Sequence, residues 1–184
     1  MFMGGEFGQW TEWSEERSLD WHLLDYPDHQ GLKRWSQDLN LLYRQEAALW
    51  ELDSRPGGFE WIQCDDARSS VVSFLRYPYG RSRALAFVCN FTPVPRHEHR
   101  IGVPWGGTWK VRLNSDDLAY GGSGVCPAPE IQAEERPWDG KPWSLPLTVP
   151  PLACVVLEGV VPVQPEWVDE ADAPVEEGVL LDDQ

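Results

Sequence analysis

Apolar and polar positions along the chain follow two different periods, and the change comes near Gly58. From residue 31 to about residue 52, Leu32, Trp35, Leu39, Leu42, Tyr43 and Leu49 recur at spacings of three, four and seven. Lys33, Arg34, Asp38, Arg44 and Gln45 fall largely on the other side, so the stretch reads as an amphipathic α-helix. Pro27-Asp28 predicts its start, with Asp28 as candidate N-cap. Arg55-Pro56-Gly57-Gly58 predicts its stop and a domain boundary. Leaving on the order of 300 Å² of such a stripe bare costs roughly 7–8 kcal/mol at about 25 cal/mol per Å². The helix is therefore expected to find cover on the rest of the chain, on a partner chain or on a second copy.

Beyond Gly58 the apolar runs shorten and alternate. Strands are predicted at 59–64, 71–77, 84–91, 96–103, 108–114, 131–135, 145–149 and 152–158, separated by turns rich in Pro, Gly and Asp. The run 84–91 is apolar at every position but Asn90, as in a central strand buried on both faces. Pro104, Pro146 and Pro150-Pro151 cannot donate to a ladder and belong at strand ends or edges. This spacing indicates an antiparallel sandwich or barrel. Residues 1–8 read as a strand end and a glycine-rich turn, residues 9–28 as a long loop, and residues 115–130 as a second loop. From residue 160 onward the chain has many carboxylates and no Lys or Arg, which predicts a disordered acidic tail. The expected division is 1–56, 57–159 and 160–184.

The 184 residues are 42% hydrophobic, which is globular, with a formal net charge of −15. That charge argues against nucleic acid or an anionic membrane surface as partner. No apolar run approaches the length needed to span a bilayer, so the expected location is the cytoplasm. Cys64, Cys89, Cys126 and Cys154 show neither C-x-x-C nor Cys/His metal spacing. They read as small apolar side chains in preference to a disulfide or metal role, and no cofactor motif is present.

The segment 1–26 gathers Glu6, Gln9, Trp10, Glu12, Trp13, Asp20, Trp21 and His22. Carboxylates pair with sugar hydroxyls while indoles stack on sugar C–H faces, so a sugar-facing loop is the candidate site. Glu6, Glu12, Asp20 and Asp25 are candidates for a carboxylate pair, weighed against a role in capping turns and pairing with Arg17. His22 reads as packed or hydrogen-bonded, and His97 and His99 as part of a solvated strand face beside Arg96 and Arg100.

Several stretches go further than a class. Met1-Phe-Met-Gly-Gly-Glu-Phe-Gly-Gln-Trp10, with Glu12-Trp13 and Ser18-Leu-Asp-Trp-His-Leu-Leu-Asp25, closely resembles the last barrel strand and following loop of bacterial 1,4-α-glucan (glycogen) branching enzymes. Leu39-Asn40, Leu42-Tyr43-Arg44 and Ala48-Leu49 resemble the helix that follows that loop. Phe59-Glu-Trp-Ile62, Cys89-Asn-Phe-Thr-Pro93, Val111-Arg-Leu-Asn-Ser-Asp116, Tyr120-Gly-Gly-Ser-Gly124 and Leu147-Thr-Val-Pro-Pro-Leu-Ala153 resemble that family's C-terminal β-domain.

The resemblance implies a mainly β fold: an antiparallel Greek-key β-sandwich, the α-amylase C-terminal all-β domain, preceded by the last strand, loop and helix of a truncated (β/α)8 barrel. It implies transfer of an α-1,4 glucan segment to a 6-hydroxyl by a retaining mechanism whose three catalytic carboxylates sit on earlier barrel strands. Glu6 matches none of them, so no catalytic residue, metal or cofactor is expected in this chain and it is expected to be inactive alone. Glu6, Trp10, Trp13 and Trp21 are expected to touch glucan only with a barrel present. The implied partners are α-glucan (glycogen), through the complete enzyme, and a separately encoded catalytic barrel. The competing reading is a non-catalytic glucan-binding or scaffold module that uses Trp105, Trp109, Trp138 and Trp143.

Overall fold

A computed structural model of the protein describes residues 2–162. The acidic tail expected from residue 160 lies, beyond residue 162, outside the described residues. Among the described residues one α-helix, α1 (Pro27–Gln45), precedes eight strands. These are β1 (Phe59–Gln63), β2 (Val71–Arg76), β3 (Arg83–Asn90), β4 (Arg96–Val103), β5 (Thr108–Asn114), β6 (Glu130–Gln132), β7 (Trp143–Val149) and β8 (Ala153–Val160). The six-stranded sheet runs β1-β2-β3-β8-β5-β6 and every pairing in it is antiparallel; β4 and β7 pair as a second, smaller sheet. Insertion of β8 between β3 and β5 is the return crossing of a Greek key.

Alternation places the core. On β3, Ala84, Ala86 and Val88 face the small sheet and meet Ile101, Val103, Leu145, Leu147 and Val149. Leu85 and Phe87 face the other way and join Val156, Leu113, Ala48 and Leu42 under α1. The result is three layers: helix, large sheet, small sheet. Pro146 lies inside β7 opposite Arg100, and a two-stranded sheet tolerates it because both of its strands are edges.

Three expectations are corrected. Residues 2–8 form turns, with a 3-10 turn at Gly5–Phe7 and no strand, because no described strand lies beside them to complete a ladder. The helix begins at Pro27, whose fixed φ and missing N–H suit the first position; Tyr26 occupies the cap and Asp28 the first turn. It ends at Gln45 rather than near residue 52, because Glu46 turns inward. The Glu46 side chain is 4% exposed and lies 2.7 Å from Arg112 on β5 and 3.6 Å from Arg83 on β3. Glu158 on β8 pairs with the same two arginines. After this latch the chain makes a 3-10 turn, Ala47–Leu49, against the sheet. A smaller shift concerns β6, which stops at Gln132 because Glu134 crosses to the other sheet and pairs with Ser144.

The 115–130 loop holds the helix from the other side. The buried Asp116 carboxylate accepts from the Ser123 N–H at 2.9 Å, the Ser123 hydroxyl at 2.6 Å and the Val125 N–H at 3.1 Å. This fixes the turn that presents Tyr120, whose hydroxyl donates to Asp38 on α1 at 2.7 Å. Burial, followed by that carboxylate, pushes the Tyr120 hydroxyl well above its ordinary range. Gly31 sits where a Cβ would come within 2.6 Å of the Tyr120 carbonyl, so only glycine allows this approach.

At the far edge, Glu60 on β1 joins Lys141, and the Tyr77 hydroxyl donates to it at 3.0 Å. Burial pushes the Glu60 carboxyl up, but the hydrogen bonds from Lys141 and Tyr77 and the charges of Lys141 and Arg81 together hold it below the ordinary value of 4.5. A carboxylate with a depressed folded pKa contributes stability that is present above the unfolded value and is lost as pH falls through the folded one. Urea midpoints are therefore expected to drop as the pH goes below about 4.5, and Glu60→Gln is expected to make that slope shallower.

Candidate functional site

Residues 2–26 are tied to α1 by backbone-directed contacts. His29 Nδ1 lies 2.6 Å from the Phe7 carbonyl, and the Ser36 hydroxyl donates to the Glu6 carbonyl at 3.1 Å. Gln9 is the internal brace: its amide donates to the Thr11 carbonyl and accepts from the Asp20 N–H, both at 2.9 Å. The Thr11 hydroxyl donates to the Asp20 carboxylate at 2.5 Å, and Arg17 donates to the Glu12 carbonyl at 2.9 Å. Gly4 has φ of 85°, and a Cβ there would strike the Gln9 side chain at 2.9 Å, so the sharp turn that brings Gln9 back depends on glycine.

This frame leaves aromatic faces outward. Phe7 is buried and stacks on Trp21 at 5.3 Å between centroids, and Trp21 remains 56% exposed. Trp10, 77% exposed, meets His29 edge-on at 5.3 Å, and Trp13 meets Phe2 edge-on at 5.4 Å. Glu6 is exposed as well. Of the proposed carboxylates, Asp20 is engaged by Thr11. His22, expected to pack, is exposed, because the 3-10 turn Trp21–Asp25 directs Leu23 inward instead. The buried imidazole is His29, which sequence reading passed over; its first-turn position gave no signal of the Phe7 carbonyl it meets.

A cavity of about 850 Å³ opens elsewhere, between β4 and the 134–139 turn, lined by Arg96, His97, His99, Arg136, Trp138 and Asp139 among others. Arg136 lies over the Trp138 ring at 5.5 Å. Burial pulls the His99 imidazole below its ordinary value and pushes the Asp139 carboxyl above its own. The strand face read as simply solvated therefore forms one wall of a recess. Of the four sandwich tryptophans, Trp138 is 41% exposed, whereas Trp109 is fully buried. Trp105 and Trp143 are half-buried against the core. Trp109 is thus unavailable to a ligand. Among the described residues no group of three or more His, Cys, Asp or Glu side chains could hold a metal ion, and no helix is long and apolar enough to cross a membrane.

The β-sandwich and its motifs define the class. The alpha amylase, C-terminal all-beta domain family matches residues 61–160, and the chain belongs to that family. Among curated proteins, it is 50% identical over 158 residues to the 1,4-alpha-glucan branching enzyme GlgB of Aquifex aeolicus, covering 86% of this chain and 25% of that protein. It is 54% identical over 158 residues to the enzyme of that name from Marinobacter nauticus, covering 85% and 25%. The Cereibacter sphaeroides enzyme is 55% identical over 155 residues, covering 84% and 21%. The chain thus spans about a quarter of the length of the curated relatives it matches.

Proposed function

We propose that this chain is the C-terminal part of a 1,4-alpha-glucan branching enzyme of glycogen biosynthesis, acting in the cytoplasm on α-glucan. Residues 1–56 are the end of the catalytic barrel and residues 57–159 the all-β domain that supports it. The observation that carries this reading is the reach of the identity. An alignment of 158 residues is longer than everything from residue 61 to residue 184, so the match extends back beyond the β-domain through the helix that precedes it.

The exposed apolar surface fits the same reading. Leu39 and Tyr43 on α1, with Phe74 and Phe87 on the sheet, line an open cavity of about 430 Å³. Trp61 beside it is 51% exposed and meets Phe74 edge-on. Large apolar surface of this kind marks a contact with further protein. In the proposed enzyme the barrel covers it, and Glu6, Trp10, Trp13 and Trp21 reach the glucan from the barrel rim. Cleavage and transfer need a nucleophile and an acid/base across the scissile bond. Those groups belong to the barrel, and this chain supplies positioning.

A second reading, a glucan-binding or scaffold module without catalysis, draws on the recess beside Trp138. One pair of assays separates the two. Incubated alone with amylose, the chain is expected to form no new α-1,6 linkages; branch formation by the isolated chain would overturn the placement of catalysis in the barrel. In glycogen-containing native gels, loss of retardation in Trp138→Ala with the other tryptophans intact would favour the second reading, and absence of any retardation would remove it.

A further inference from the structure

Two of the four cysteines meet across the central pair of the large sheet. Cys89 on β3 and Cys154 on β8 are register partners, directly opposite each other, and their sulfurs lie 3.0 Å apart within hydrogen-bonding distance. Residues opposite one another in an antiparallel pair have Cα atoms about 4.5 or 5.5 Å apart, and both values fall within the roughly 4.4–6.8 Å that a disulfide spans. The flanking pairs Val88–Val155 and Asn90–Ala153 hold this register from both sides, so the two thiols are presented to each other whatever the rest of the chain does.

Both thiols are also within reach of solvent. They are half-buried and line an open cavity of about 360 Å³ together with Trp35, Phe91, Ser115 and Leu152. Cys64 and Cys126 are exposed and lie elsewhere. We propose that Cys89 and Cys154 are a reversible oxidation site, a dithiol that low-molecular-weight disulfides such as oxidised glutathione convert to an intrachain disulfide.

The two sulfurs are not equivalent. Hydrogen bonding from Cys154 holds the Cys89 thiol below its ordinary value, whereas the Cys154 thiol is pushed up by the same contact and by burial. Cys89 is therefore the attacking thiolate. It displaces one glutathione thiolate from the small disulfide and forms a mixed disulfide at its own sulfur. Cys154 then loses its proton and attacks the Cys89 sulfur, expelling the second glutathione. In sum, two protein thiols lose two electrons and two protons, and one small disulfide becomes two thiols. The link would join β3 to β8 on the sheet face that carries α1, beside Trp35. It rests on the pairing of these strands and is independent of the proposed activity.

The test uses the full chain, treated with oxidised glutathione, alkylated with iodoacetamide and mapped by peptide mass. Cys89 and Cys154 are expected to appear joined, two hydrogens lighter and unalkylated, and dithiothreitol should return both to alkylation. The C64S/C126S variant, which leaves only this pair, is expected to give the same product with no intermolecular link on a non-reducing gel. In that background C89S and C154S should each stop at a single glutathione adduct. Recovery of both Cys89 and Cys154 as alkylated or glutathione-capped thiols, with no bond between them, would overturn the proposal.

Discussion

Trp109→Ala is expected to cost about 3–5 kcal/mol, the range for removing a fully buried large aromatic. Its indole is completely enclosed, stacks on Trp105 at 6.1 Å between centroids and lies on Gly159 of the neighbouring strand. A Cβ at Gly159 would come within 2.3 Å of the ring, so the two positions are fitted to each other and the sheet cannot collapse into the space the ring leaves. A domain is commonly stable by only about 5–15 kcal/mol, so this one change removes a large share of the total. Urea unfolding is the appropriate measurement. A loss below about 1 kcal/mol would mean that the sandwich core is not closed around this residue as described.

The second large effect is expected at Glu46. Glu46→Ala leaves Arg112 and Arg83 to share Glu158 alone. Stranding a buried charge costs about 3–5 kcal/mol. Here Glu158 still pairs with both guanidiniums, and Arg83 is nearly half exposed, so about 2 kcal/mol is the appropriate expectation. The loss should be local. Hydrogen exchange is expected to show reduced protection in the last turns of α1 and in the Ala47–Leu49 turn, with β4 and β7 little changed. Uniform loss of protection across both sheets would contradict the role of Glu46 as the latch between helix and sheet.

These two residues also show what the sequence could and could not reveal. The eight strands were legible because period-two alternation and turn residues are local signals, and β3 was legible as doubly buried because its apolar run has no polar break from Ala84 to Cys89. The end of α1 was not legible. Glu46 continues a helical pattern on paper, and only the folded sheet brings Arg83 and Arg112 beneath it. Trp109 failed as a sugar-facing candidate for a similar reason: an indole on a strand reads alike whether it faces ligand or core. β5 adds its own complication, because an irregularity between Val111 and Leu113 sends Trp109 and Leu113 to opposite faces, which plain alternation would not predict.

The candidate site was legible as a set of residue types and not as an arrangement. Glycines, carboxylates and tryptophans in the first 26 residues were visible at once, but the Gln9 brace and the contact of His29 with the Phe7 carbonyl depend on tertiary geometry. The pairing of Cys89 with Cys154 likewise required the register of β3 on β8, since nothing in their sequence spacing links them.

The central claim is that this chain completes a catalytic barrel made of other sequence. The most direct measurement mixes it with the separately produced remainder of a curated relative and follows α-1,6 branch formation on amylose, with complex formation read by sedimentation. Neither piece alone is expected to branch, and the mixture is expected to form a one-to-one complex that does. Failure of the two to associate, with no activity recovered at any ratio, would contradict the claim.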